Sequence, residues 1–202
     1  MDTRQLNRTQ RKHIDIMKAA VELFQKNGFD STSMDSIALN AKVSKRTIYK
    51  HFSDKDFLFQ SIIKHLFEEI MNTTSYPYSA KTSLEKQLTE IAKLLVEFLT
   101  SECLIKLSRV VLVELIRSPQ KAQEAFFEFN EEEIGITKWI VEAKKDKRLK
   151  VLDVAIASKQ FIALLKAFAF WPHILEGKPL PTLAEKKKLI QETVRCFLKA
   201  YQ

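Results

Sequence analysis

Apolar residues recur along most of this chain at the three-to-four-residue spacing of amphipathic helices. Ile14, Met17, Ala20, Val21 and Phe24 form one such stripe and predict a helix from Arg11 to Asn27, with Gly28 following as a left-handed C′ residue. Residues 1–10 have no apolar face and read as a solvated, mobile arm. The alternative use of that arm is to lay Arg4, Arg8 and Arg11 along a phosphate backbone or in a minor groove. Ser33 is placed to cap a short second helix whose face is Met34, Ile37, Ala38 and Ala41. Ala41-Lys42-Val43 interrupts the pattern, and Ser44 caps a third helix running from Lys45 to about His51. On it Ile48 and Phe52 face inward with Val43 of the turn, which leaves Lys45, Arg46, Thr47, Tyr49, Lys50 and His51 outward.

Longer helices follow. Ser53-x-x-Asp56 resembles a capping box opening a helix that reaches about Thr74, with Phe57, Leu58, Ile62, Leu66 and Ile70 on one side. After a break at residues 75–79, Thr82-x-x-Glu85 predicts a second box, and Leu84, Leu88, Ile91, Leu95 and Leu99 line the helix behind it. Residues 103–117 are apolar on more than one face, the mark of a helix buried centrally. Ser118-Pro119 restarts the chain with a cap and a proline at the first helical position, and that helix is expected to reach Lys145 with a kink at Gly135. Asp153 caps a helix from Val154 to Phe170, and Thr182-x-x-Glu185 caps a last one bearing Leu183, Ile190, Val194, Phe197, Leu198 and Tyr201. The fold expected is all-α: a three-helix helix-turn-helix DNA-binding domain at residues 10–70, then a helical bundle for ligand binding and dimerisation at 71–202.

Three glycines and five prolines in 202 residues agree with long helices and few tight turns. Charge adds a direction. The formal net charge is +8, and residues 1–55 hold 11 Lys and Arg against 6 Asp and Glu, so +5 of it lies there. A polar, basic helix just after a tight turn suits major-groove base edges and phosphates. The candidate DNA contacts are therefore Ser33, Ser44, Lys45, Arg46, Thr47, Tyr49, Lys50 and His51, with Lys55 at the start of the next helix reaching for a phosphate.

The segments Ile16-Met17-x-x-Ala20, Leu23-Phe24, Gly28-Phe29, Thr32-Ser33 and Ile37-Ala38 share their spacing with the TetR family of bacterial transcriptional regulators. So do Ala41-x-Val43-Ser44-Lys45-x-Thr47-x-Tyr49-x-His51-Phe52 and Lys55-x-x-Leu58, so that the head of the chain closely resembles that family. Lys42 stands where the family usually has Gly; a Lys held at positive φ costs about 1 kcal/mol against Gly. Asp153, Gln160-Phe161-Ile-Ala-Leu-Leu165, Phe170-Trp-Pro172 and Phe197-Leu198 also look like the AefR-like C-terminal domain found in part of the family. The resemblance implies a homodimer that binds a near-palindromic double-stranded operator as a ligand-responsive repressor, its body holding a small-molecule effector.

Catalytic groupings are missing from the sequence. Glycines at 28, 135 and 177 make no phosphate-cradling loop, so no nucleotide cofactor is expected. His13, His51, His65 and His173 are scattered, and His65 with Glu68 and Glu69 lacks the second His of a helical zinc signature, so neither a metal nor an enzyme is expected. Cys103 and Cys196 are too few for a disulfide framework, which suits a reducing cytoplasm, and Cys103 reads as a buried structural residue rather than a thiolate sensor. Residues 1–12 lack the apolar core of a signal peptide, and Phe161–Leu175, which contains Lys166, is too short to span a bilayer.

The body is rich in large aromatic residues, Phe126 and Phe129 among them. Core packing accounts for any single one; together they suggest a cavity for an apolar or aromatic effector. Its candidate lining is Phe98, Leu107, Val111, Phe127, Trp139, Phe161, Leu165, Phe168 and Trp171. The surplus apolar surface of the last helices suggests an isologous seam through Ala163, Ala167, Ile190, Val194, Phe197 and Tyr201. Two alternatives stand beside this reading: a DNA-binding head on a body that only dimerises or docks proteins, and an all-α carrier or enzyme for apolar ligands.

Overall fold

The computed structural model describes residues 7–73, 75–127 and 135–202, and among these residues there are helices and connections but no strand. The chain divides into two compact units, one of Met1–Leu66 with Lys106–Phe127, the other of Phe67–Ile105 with Glu128–Gln202.

The first unit contains α1 (Arg8–Asn27), α2 (Met34–Asn40), α3 (Lys45–His51), the start of α4 (Lys55–Thr73), the end of α6 (Glu102–Arg117) and α7 (Pro119–Phe127). α1 begins inside the stretch expected to be an arm. Asn7 accepts from the Gln10 backbone N–H at 2.8 Å and the Gln10 side chain accepts from Asn7 N–H at 3.0 Å, a capping box made without an apolar residue. Arg8 and Arg11 are thus exposed on the first turn of a helix, and Arg4 lies outside the described residues. Gly28 ends α1 at φ +81 and ψ 161, an extended rather than left-handed conformation, in a region open almost only to glycine. Ile16, Ala20, Ile37, Ile48, Phe52, Leu58 and Phe59 are fully buried and form the core of the unit.

Two expectations need correction here. α4 is capped by Asp54, whose carboxylate accepts from Phe57 N–H at 2.7 Å; Ser53 instead donates its hydroxyl to Asp54. Its buried stripe runs through Phe59, packed at 5.3 Å on Phe29, while Phe57 is 52% exposed. α6 is not buried all round: Val110 and Val111 face inward, but Val113 and Ile116 are 55% and 79% exposed, and Cys103 is exposed as well.

The second unit contains α5 (Leu84–Leu99), α8 (Gly135–Lys145), α9 (Val154–Ala169), the short α10 (Trp171–Leu175) and α11 (Leu183–Tyr201). α5 buries its expected stripe, but its cap is Ser83, which accepts from Lys86 N–H at 3.3 Å. Of the single helix expected from Pro119 to Lys145, the described residues form α7 and α8; residues 128–134, where the two would join, lie outside the described residues. α5 packs on α9 and α11, and α8 on α9. Trp139, 1% exposed, donates its indole N–H to Gln87 at 3.1 Å. Gln87 in turn bonds Ser79 N–H, Ser79 C=O and Thr82 C=O, and Arg148 donates to the carbonyls of Ser79, Ala80 and Thr82. The connection before α5 is therefore pinned to the core by polar groups that are all satisfied.

Candidate nucleic-acid interface

α2 exists as a seven-residue helix because both its ends are tied. Ser33 accepts from Ser36 N–H and Ser36 accepts from Ser33 N–H, each at 3.1 Å. At the other end Val43 N–H reaches Ala38 C=O at 2.9 Å and Lys42 N–H reaches Leu39 C=O at 3.1 Å, the paired bonds of a Schellman motif. That motif puts Lys42 at φ +53, the left-handed position a glycine would occupy without strain. Lys147, at φ +57 after α8, solves the same problem with the same residue type.

α3 is started by Ser44, which accepts from Thr47 N–H at 3.1 Å and shares a hydroxyl contact of 2.8 Å with Thr47. Ile48 and Phe52 are both fully buried and key the helix into the core, while Val43 is half-buried. This registration leaves Lys45, Arg46, Tyr49 and Lys50 exposed along one side; Thr47 and His51 are half-buried at its edges, and Ser33 and Ser44 are exposed caps. Lys45 pairs with Asp35 at 2.6 Å, a partner on α2 that sequence reading missed. Asp35 holds the Lys45 ammonium above its ordinary pKa, first by the hydrogen bond and then by its charge.

His13 of α1 stacks on Phe52 at 4.4 Å and lies 5.7 Å from the His51 ring. Burial, then the His51 and His65 charges, push its pKa down; for His51 the causes are burial, then Lys50 and Lys12. Lys55, expected to reach a phosphate, has partners within the chain. Its ammonium donates to Phe29 C=O at 2.7 Å and Asp30 C=O at 3.1 Å and stands 4.5 Å from the centre of the Phe29 ring, so it braces the α1–α2 loop.

Of the expected pocket lining, Leu107 and Val111 lie in the first unit and the other residues with described side chains in the second. Trp139, Phe161 and Leu165 are at most 1% exposed and belong to the core of the second unit. A cavity of about 740 Å³ lies against the α10–α11 connection, lined by Phe168, Pro172, Leu180, Pro181 and Leu189 with Lys188 among its polar groups. Phe168 is the one predicted residue it takes. Phe98 and Leu107 are half-buried, Val111 is buried, Trp171 is 39% exposed, and the Phe127 side chain lies outside the described residues. The seam is corrected too: Ile190, Val194 and Phe197 are at most 7% exposed within this one chain, Phe197 lying edge-on to Phe161 at 5.2 Å. Ala163 and Ala167 are exposed, and Tyr201 is half-buried. Among the described residues no group of three or more His, Cys, Asp or Glu is arranged to hold a metal, and no helix is long and apolar enough to cross a membrane.

Two short capped helices across a tight turn, the second keyed into a core and presenting cations and a phenol outward, define a helix-turn-helix unit of the kind that reads duplex DNA. Residues 16–62 match the model of bacterial regulatory proteins of the tetR family, and residues 86–202 match that of the AefR-like transcriptional repressor C-terminal domain. The chain belongs to the TetR family of DNA-binding transcriptional regulators. It is similar to a TetR family regulator from Pseudomonas syringae pv. tomato DC3000, with 38% identity, 95% of this chain and 96% of that one covered, and a TM-score of 0.84. It is also similar to the flavonoid-responsive regulator FrrA, with 28% identity, 96% and 98% covered, and a TM-score of 0.75. The transcriptional regulator UidR of Escherichia coli K12 is 27% identical over 135 residues, 67% of this chain. The match spans 65% of UidR, and the curated relatives matched first are covered over less than two thirds of their own length.

Proposed function

We propose that this protein is a homodimeric, cytoplasmic repressor that places one α3 in each of two successive major grooves and releases DNA when its body binds an apolar or aromatic small molecule. The observation that carries the DNA part is the row Lys45, Arg46, Tyr49 and Lys50, exposed on a helix whose opposite side, Ile48 and Phe52, is fully buried. A helix held that firmly presents its side chains in fixed register, as base readout requires. Dimerisation is supported by the exposed face of α9, where Ile156 (52%), Ala163 and Ala167 lie in helical register. The small-molecule part is supported by the likeness to FrrA, which is flavonoid-responsive.

Selection from random duplexes tests the first part and should return a near-palindromic site. Arg46→Ala should then relax the preference at one or two base pairs at about 1–3 kcal/mol, whereas Tyr49→Phe should weaken all sequences alike. Recovery of the wild-type site by the Arg46 variant would remove Arg46 from base readout. A panel of flavonoids and other apolar aromatics, scored by operator affinity, tests the second part; effector coupling of about 1–3 kcal/mol changes that affinity roughly 5- to 150-fold.

A further inference from the structure

Within the first unit, the α6–α7 corner grips the loop that joins α1 to α2. Arg117, the last residue of α6, reaches Asp30 at 2.9 Å while keeping a 3.5 Å contact with the buried Glu114 of its own helix. Lys121 on α7 pairs at 2.8 Å with Asp56 in the first turn of α4. Its ammonium also stands 3.8 Å from the centre of the Phe29 ring and 5.7 Å from that of Phe59. Lys55 closes on Phe29 as well, at 4.5 Å, so two cations address one ring. Lower on α6, Gln25 of α1 donates to Lys106 C=O at 2.7 Å.

These contacts are unequal. Arg117 and Asp30 are 58% and 69% exposed, and such surface pairs contribute little alone. Lys121 is 23% exposed and serves a carboxylate and two aromatic faces at once, a site where a cation is worth more than in open water. Both residues touch elements that carry the reading pair: Asp30 precedes α2, and Asp56 opens the helix that follows α3.

We infer that Lys121, assisted by Arg117, is a positioning residue for DNA reading: it fixes the angle at which α6 and α7 carry α2 and α3. In a dimer that angle sets the separation of the two recognition helices, and half-site spacing on the operator is its direct consequence. The inference rests on the homodimer reading above.

The full-length chain is titrated with selected half-sites joined by central spacers of the selected length and one or two base pairs longer or shorter. The wild type should prefer one spacer by roughly tenfold or more. Lys121→Gln should compress that preference to about threefold or less, leaving affinity for an isolated half-site and the salt dependence of binding unchanged. Lys121→Arg should retain the wild-type preference, because a guanidinium serves both carboxylate and ring. Asp56→Asn, which removes the pair from its exposed end, should flatten the preference in the same direction and is the variant to use if Lys121→Gln does not fold. A folded Lys121→Gln or Asp56→Asn variant with wild-type spacer preference overturns the inference, as does equal loss of affinity for every spacer and for the half-site. If the wild type itself recovers only single half-sites, the homodimer reading falls and this inference falls with it.

Discussion

Lys55→Met separates two roles that sequence reading and structure assign to the same residue. The substitution keeps the aliphatic stem and removes the ammonium, and with it the bonds to Phe29 C=O (2.7 Å) and Asp30 C=O (3.1 Å) and the contact with the Phe29 ring at 4.5 Å. A hydrogen bond from a charged donor contributes about 1.5–3 kcal/mol and a cation–π contact about 0.5–1. Both carbonyls belong to a surface loop and can return to water, so about 2–3 kcal/mol is the expected loss. In a chain of this size each kcal/mol moves the melting temperature by about 2–4 °C, giving a fall of about 4–12 °C. DNA affinity should fall too, since the braced loop leads directly into α2. Its dependence on salt decides the role: losing a phosphate contact lowers the slope of log affinity against log salt by about 0.9, whereas losing a brace leaves it unchanged. Thermal melts and anisotropy titrations across a salt series measure both. A variant that melts like wild type and loses about 0.9 from the slope would show that Lys55 leaves the loop and binds phosphate.

Acid should weaken the first unit. His13 and His51 have folded pKa values below their ordinary value, chiefly through burial, so the unfolded chain binds more protons. Their contribution is complete above the unfolded value of about 6.5 and is lost as pH falls through the lower folded values. The melting temperature should therefore drop between pH 7 and 5, and His13→Phe, which preserves the stack on Phe52, should drop less; an equal drop would clear His13. Gln87→Leu should cost about 2–4 kcal/mol, because it leaves the buried Trp139 N–H and Ser79 N–H without their acceptor; a denaturant midpoint like wild type would contradict that. Ala163→Glu, on an exposed face, should give folded monomers in the ultracentrifuge, whereas Phe197→Glu should fail to fold by circular dichroism. A dimeric Ala163 variant would move the seam off this face of α9.

The reading pair was legible because every signal in it is local. Ser33 and Ser44 cap within three residues of themselves, and Ile48 and Phe52 are separated by one helical turn. Caps were harder to place where two competent residues adjoin. Ser53 and Asp54, like Thr82 and Ser83, differ little as caps, and packing of the following helix decides between them. At α4 the choice between Phe57 and Phe59 had no local answer, since both flank Leu58; Phe29 and Lys121, from distant parts of the chain, settle it. The Asn7–Gln10 box was missed because its residues carry no apolar period at all.

The seam marks a different limit. An apolar stripe shows that a helix face avoids water, without saying which chain covers it. Ile190, Val194 and Phe197 form the more obvious stripe, and α5 and α9 of the same chain consume it. Exposed on α9 are Ala155, Ile156, Lys159, Gln160, Ala163, Ala167 and Phe168, and the row Ile156, Ala163 and Ala167 among them carries little hydrophobic bulk. Small residues contribute little burial on their own, but they allow two helix backbones to approach closely. The dispersion attraction between backbones at that distance then accumulates along the length of the helix. A face with so little bulk is therefore better suited to a second copy of itself than to the interior. That is why the alanines of α9, rather than Phe197, are the positions at which an added charge should separate two folded chains.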